Sequence, residues 1–347
     1  MKVGILRDNN PDSSLKWELA CEKKAMQYVV VDMLRNDWLE KIRNFGPDFC
    51  VTRPPGDIQQ NKDIFDDRLL FLEKNEGILC FPGFHEISIY ENKATLSYFL
   101  KTAHVSHPET SVFYSKTEAI DYIQHTGFPI VAKTLIGAAG SGVKILNGKS
   151  QALAYINQAF SKGIRRRFGP NRNAGNPKSW LKKALNSPAF LMKKLRQYSQ
   201  RYQQLQKNVV LFQQFIPNDF EWRCVKIGES YFAYKKLKVD GKSSGSKMFE
   251  YGAPPLEILD FTKNLCARFN FNFMAVDLFL NEQGIFVNEL QTIFGHKNPY
   301  ICKVDNKPGR YIYSNENWLF EEGEFNTNES YDLRLETAIR LFQSHKK

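Results

Sequence analysis

The stretch Phe128-Pro129-Ile130-Val131-Ala132-Lys133, then Gly137-Ala138-Ala139-Gly140-Ser141-Gly142, then Val143-Lys144-Ile145-Leu146, decides how this chain is read. Two short apolar runs flank a glycine-rich turn, so the order is strand, glycine loop, strand. Glycines at 137, 140 and 142 let backbone N–H groups converge on an anion without side-chain obstruction. A Walker-type loop needs Gly-Lys-Ser or Gly-Lys-Thr opening a helix, and a dinucleotide fingerprint also opens a helix. Neither follows here. Two readings remain: a hairpin folded over phosphates with Lys133 as a point charge, or an ordinary surface hairpin.

Upstream, residues 3–6, 28–31, 49–52 and 78–81 read as short buried strands, with helices at 15–24 and 38–44 between them. Strands alternating with helices argue an α/β class and a small parallel sheet. Ligands usually bind at the carboxyl ends of such strands. Arg53, in Arg53-Pro54-Pro55-Gly56, is therefore either an anion contact or a solvated side chain beside a double-proline turn. Helices at 92–102 and 118–126 lead into the glycine hairpin.

Downstream, Val209-Val210-Leu211-Phe212-Gln213-Gln214-Phe215-Ile216 reads as a buried strand and a connector. The strand after it places Glu221 and Arg223 on one face, because strand side chains alternate with period two. That pattern fits a site or a surface ion pair. Gly228-Glu229 is a hairpin turn, and residues 230–235 form the next strand, delivering Lys235 and Lys236. Residues 274–291 read as two strands joined at Glu282-Gln283-Gly284, with Asp277 and Glu289 roughly opposite each other. Carboxylates are costly in apolar strands. Two of them with an amide oxygen suit Mg²⁺ on nucleotide phosphates; the alternative is a half-exposed hairpin with solvated acids.

The chain has 347 residues, 42% hydrophobic and 24% charged, enough for two or three packed modules and too apolar for disorder. No apolar run reaches the roughly 18 residues of a membrane span. The amino terminus shows no signal-peptide apolar region. Six scattered cysteines without a CxxC pair fit buried thiols in a reducing cytoplasm. The net charge of +11 is concentrated: residues 161–207 hold 13 Lys or Arg and no Asp or Glu, leaving the rest near neutral. Within that segment Trp180, Leu181, Ala184 and Leu185, and then Leu191, Leu195 and Tyr198, recur at helical spacing. A basic amphipathic helix can lie on an anionic membrane surface, here the inner face, or dock an acidic substrate. A solvated helical insertion is the other reading. The segment carries no finger or RNP motif, which argues against nucleic acid.

In this order of parts, over about residues 1 to 295, the chain resembles the ATP-grasp superfamily. It is most similar to RimK-like ligases and to ATP-grasp proteins of cell-surface polysaccharide synthesis. The resemblance implies a small parallel α/β domain at 1–90 preceding the ATP-grasp fold. An N-terminal subdomain follows at 91–208, with the basic insertion 161–207, and then a C-terminal subdomain with its last helix at 209–347. It implies that Lys93 and Lys133 contact nucleotide phosphates under Gly140, Ser141 and Gly142. Gln213, Gln214, Phe215 and Ile216 would form the adenine edge, and Glu221 would bind the ribose. Arg223 and Lys235 would stabilise the transferring phosphoryl group. Asp277, Glu289 and Gln291 would hold Mg²⁺ or Mn²⁺. Gln291 stands where the family has Asn, Asn92 where Asp is common, and Gln213 where many members have Glu.

The resemblance further implies a ligase that uses ATP to form an acylphosphate on an anionic carboxylate, which an amine then attacks. A cell-surface glycan or a lipid-linked precursor is the substrate class suggested. A small-molecule kinase, or a non-catalytic nucleotide-binding scaffold docked on a membrane or acidic polymer, are the alternatives. His296, Arg310 and the polar loop 242–247 are further substrate-side candidates, with structural or solvated roles as their other readings.

Overall fold

The computed structural model describes the chain except residues 138, 139, 141, 167–184, 240, 241, 244–247 and 347. Outside the described residues lie Ser141, the apolar positions Trp180, Leu181 and Ala184, basic residues Arg167, Arg172, Lys178, Lys182 and Lys183, and most of the loop 242–247.

The first sheet is fully parallel, in the order Gln27–Asp32, Lys2–Arg7, Phe49–Arg53, Cys80–Phe81. Val3, Ile5, Leu6, Phe49 and Val51 are buried, as expected where helices cover both faces of a sheet. Leu15–Lys23, Trp38–Phe45 and Gln59–Asn75 are its helices. The last of these was not anticipated, although Phe65, Leu69 and Leu72 recur at helical spacing and are completely buried. Arg7, Asp32 and Arg53 end their strands together at the carboxyl edge.

The second sheet is antiparallel, in the order Thr110–Phe113, Val210–Gln214, Ile130–Lys133, Val143–Leu146. Helices Lys116–His125 and Lys149–Ala159 pack on one face over Ile130, Ala132, Leu146 and Phe212. Alternation then turns Val131, Lys133, Val143, Ile145, Leu211 and Gln213 to the other face, where they line a cavity.

The third sheet runs Gly284–Gln291, Phe273–Asn281, Phe220–Ile227, Ser230–Val239, Lys307–Ser314 and Lys303–Val304, all antiparallel, with Lys242–Ser243, Phe249–Glu250 and Asn317–Glu322 beside this path. It forms the cavity's opposite wall. A bulge between Asp277 and Leu278 sets Asp277 against Glu289 and Leu278 against Val287, leaving Asn288 as the extra residue.

The final helix, Tyr331–His345, returns to the first sheet. Tyr331 meets Trp17 edge to face at 4.8 Å, and Phe342 packs on Phe49 at 5.3 Å. Lys23–Asp332 and Lys24–Glu336, at 2.7 and 2.9 Å, flank this apolar contact. Exposed pairs of that kind contribute at most about 1 kcal/mol, so the rings carry the docking. The first and third sheets consequently share one hydrophobic core.

Candidate active site

The cavity between the second and third sheets has a volume of about 320 Å³, within the roughly 300–1,000 Å³ of small-molecule sites. Its floor is built by strand pairing. Glu221 and Arg223 alternate onto the same face, Glu221 opposes Lys236, Arg223 opposes Asp277, and Asp277 opposes Glu289. Arg223 grips both Asp277 oxygens: Nε donates to Oδ1 at 2.6 Å and Nη2 to Oδ2 at 2.8 Å. Nη2 also donates to Gln291 Oε1 at 2.8 Å. Lys236 Nζ donates to Asp277 Oδ2 at 2.6 Å and to Glu221 Oε2 at 3.1 Å. Asp277 is 0% exposed, so its charge survives only because two cations meet it. Burial alone pushes its carboxyl up; Arg223 and Lys236 outweigh that and hold it well below the usual carboxylate range.

Lys133 joins the two walls. Its ammonium donates to Asn288 Oδ1 at 3.0 Å, and Asn288 Nδ2 donates to Glu221 Oε1 at 3.1 Å. Burial lowers the Lys133 pKa to about 8, with the Glu289, Glu221 and Asp277 charges opposing this fall and Lys93 adding to it.

Lys93 opens the helix Lys93–Thr102, which Asn92 caps by accepting from the Thr95 N–H. Its backbone N–H donates to Leu135 O at 2.9 Å, and its ammonium donates to Gly137 O, also at 2.9 Å. The Gly137 N–H in turn donates to Glu91 at 3.3 Å. The root of the glycine loop is thus held on both its N–H and its C=O. Burial pushes the Glu91 carboxyl up to about 7, with Lys93 opposing. The Lys93 ammonium is also 3.7 Å from Glu289. Gly142 must be glycine, because a Cβ there lands on Thr134 Oγ1.

Gln213, Gln214, Phe215 and Ile216 line one end of the cavity, with Gln213 Nε2 donating to Thr110 Oγ1 at 3.1 Å. Asp277, Glu289 and Gln291 bring hard oxygen donors onto neighbouring strands, a donor set that fits a divalent cation. Arg223 spans the Asp277 and Gln291 oxygens.

Solved structures with the same architecture include D-alanine–D-alanine ligase from Bacillus anthracis. It is 15% identical, covers 99% of each chain at a TM-score of 0.56, and has also been solved with ATP. The RimK domain ATP-grasp protein of Sphaerobacter thermophilus is 15% identical, with 85% of this chain and 92% of that one covered at a TM-score of 0.51. The chain has the ATP-grasp fold. A curated relative, the alpha-aminoadipate–LysW ligase LysX of Saccharolobus solfataricus, is 26% identical over 153 residues, 42% of this chain and 54% of that protein. The match therefore spans about half the length of that relative. No family model matches the chain.

On this ATP-grasp framework one expected residue changes. Lys235 does not face the cavity: it pairs across the sheet with Trp222, its ammonium is 2.8 Å from Glu250, and it stands over the Phe220 and Trp222 rings. Side-chain alternation makes Lys236 the inward lysine. The two-residue turn at Gly228-Glu229 already fixes this register, since pairing Ile227 with Ser230 sets Glu221 against Lys236. Asn288 and Glu91 were missed as well. Asn288 reaches the cavity through a bulge that no local pattern announces. Glu91 adopts the left-handed φ of +49°, uncommon for a non-glycine residue.

Glu221 lines the cavity, and both its oxygens are already bonded, to Asn288 and Lys236. Arg53 approaches Tyr90, Tyr331 and Asp8, outside the cavity lining. Arg310 pairs with Glu321 at 2.8 Å and bonds Ser230 Oγ. His296 is buried among Tyr234, Phe249 and Tyr251.

Replacing Lys236 with Met is expected to lower nucleotide turnover about 10²–10³-fold, the scale of losing one preorganised charge. Lys235→Met is expected to stay within twofold of the parent; equal losses in steady-state assays contradict the assignment. A second expectation concerns pH. The Lys133 ammonium exists below about pH 8 and is lost above it, so affinity for a non-hydrolysable ATP analogue falls as pH rises through 8. Lys133→Met should bind weakly and without that dependence. A flat parental profile from calorimetric titration contradicts this.

Proposed function

We propose that the chain is an ATP-dependent carboxylate–amine ligase. The supporting observation is the convergence of Lys93, Lys133, Arg223 and Lys236 on one cavity between two sheets, each held by a buried or half-buried acid or amide. A triphosphate fits that charge distribution, with adenine along Gln213, Gln214, Phe215 and Ile216 and phosphates under Gly140 and Gly142. Two of the similar proteins are by name ligases, acting on D-alanine and on LysW.

In this reading a substrate carboxylate oxygen attacks the γ-phosphorus, the bond to ADP breaks, and an acylphosphate forms. An amine then attacks the acyl carbon, inorganic phosphate leaves, and the amine's proton passes to solvent. Arg223, Lys133 and Lys236 neutralise charge on the transferring group, while the two walls exclude water and fix its approach. Asp277, Glu289 and Gln291 would hold Mg²⁺ or Mn²⁺, which supplies further charge neutralisation on the phosphate oxygens.

The substrate side is read from the basic segment. Helix Pro188–Gln203 turns Met192, Leu195 and Tyr202 to solvent, continuing from Leu185, with exposures of 67, 40, 45 and 75%, and Arg196 beside them. Apolar side chains turned outward in an acid-free segment suit the headgroup layer of an anionic membrane. Among the described residues no helix is long and apolar enough to cross one. A cell-surface glycan or lipid-linked precursor at the inner face is the acceptor class this supports.

Incubation with ATP, Mg²⁺ and paired carboxylate and amine candidates is expected to release ADP only when both are present. A phosphorylated product without an amine would make the protein a kinase, and binding without turnover a scaffold. In sedimentation with vesicles, the protein is expected to bind phosphatidylglycerol and not phosphatidylcholine, less so as salt rises. Met192→Glu with Leu195→Glu should abolish that binding; no binding by the parent, or unchanged binding by the variant, removes the membrane role.

A further inference from the structure

The Arg223 guanidinium occupies the oxygens that a divalent cation needs. Its Nε and Nη2 cover both Asp277 oxygens, and Nη2 also takes the Gln291 amide oxygen. Lys236 adds a second cation on Asp277 Oδ2 at 2.6 Å. Of the three donors, Glu289 alone among these is met only loosely, by Lys93 at 3.7 Å. A doubly charged ion placed between Asp277 and Gln291 meets a guanidinium and an ammonium at contact distance, buried where such repulsion is poorly screened. Ion and guanidinium therefore exclude each other.

Resting on the nucleotide-site reading above, we propose that Arg223 blocks the metal site until nucleotide arrives. The triphosphate offers the guanidinium a second set of paired oxygens, and arginine forks bind carboxylate and phosphate with the same geometry. Arg223 lines the cavity that the triphosphate would occupy, which puts its fork beside both acceptors. The Asp277 and Gln291 oxygens are then uncovered as the phosphates bring the cation. Lys236, held also by Glu221, turns from Asp277 toward the phosphates as well, and the arriving cation takes over as the partner of Asp277. The site thereby takes up metal together with nucleotide and holds little of it alone, which keeps a strongly charged pocket from filling with unproductive ions.

The test is Mn²⁺ binding to the full chain without nucleotide, read from the electron paramagnetic resonance signal of free Mn²⁺. Arg223→Gln keeps a donor for Asp277 and removes the charge; Arg223→Ala removes both and is the variant more prone to misfold. The expected result is at least tenfold tighter nucleotide-free Mn²⁺ binding by Arg223→Gln than by the parent, with the gain lost on adding Glu289→Gln. Adding a non-hydrolysable ATP analogue should tighten Mn²⁺ binding by the parent and narrow the difference. If folded Arg223→Gln binds Mn²⁺ no tighter than the parent, or if the parent binds it equally with and without analogue, the proposal is overturned. Failure of the parent to bind the analogue would count against the nucleotide site instead, and the nucleotide-free comparison still decides the role of Arg223.

Discussion

A carboxylate completely withdrawn from water, Asp277, governs this molecule. An isolated charge in such a place costs several kcal/mol even after relaxation, and removing one partner of a buried pair costs about 3–5 kcal/mol. Arg223 and Lys236 remove that penalty by filling its oxygens, and Glu221 extends the network by holding Lys236 from the other side. The acid thus fixes two long, otherwise mobile cationic side chains in one place, aimed at the cavity. Cations gathered beside the cavity before nucleotide arrives are what phosphoryl transfer requires, because they can meet its developing charge with only local side-chain movement.

The sheets supply the placement. Three neighbouring strands of the third sheet give Lys236, Glu221 with Arg223, and Asp277, and the bulge beside Asp277 lets both Asn288 and Glu289 serve the cavity. The second sheet contributes Lys133 from the opposite wall, and the Lys133–Asn288–Glu221 chain ties the walls together. Each link of that bridge is a single hydrogen bond, at 3.0 and 3.1 Å. The glycine loop is held at its root, Gly137, by Glu91 and Lys93.

Much of this was legible in the residues. Strand, glycine turn and strand around 128–146 set the second sheet, and alternation alone put Glu221 and Arg223 on one face. Lys236 was legible too, because a two-residue turn dictates the pairing. The exchange of Lys235 for Lys236 shows how a one-residue slip sends a side chain to the other face of a sheet. The bulge at Asn288 was not legible: it inserts one residue between two otherwise regular strands, and nothing local marks it. The docking of Tyr331–His345 on the first sheet was equally hidden, since it depends on Trp17 and Phe49, some three hundred residues away in the chain. Helix Gln59–Asn75 is legible in Phe65, Leu69 and Leu72, which recur at helical spacing after the proline turn.

The most direct measurement of the account is calorimetric titration of a non-hydrolysable ATP analogue with Mg²⁺ into Asp277→Asn, with near-ultraviolet circular dichroism confirming the fold. If Asp277 organises the cationic site, the variant folds with reduced stability and binds the analogue at least tenfold more weakly than the parent. Parental affinity in the folded variant would show that the cations find their positions without it, and would contradict the central claim.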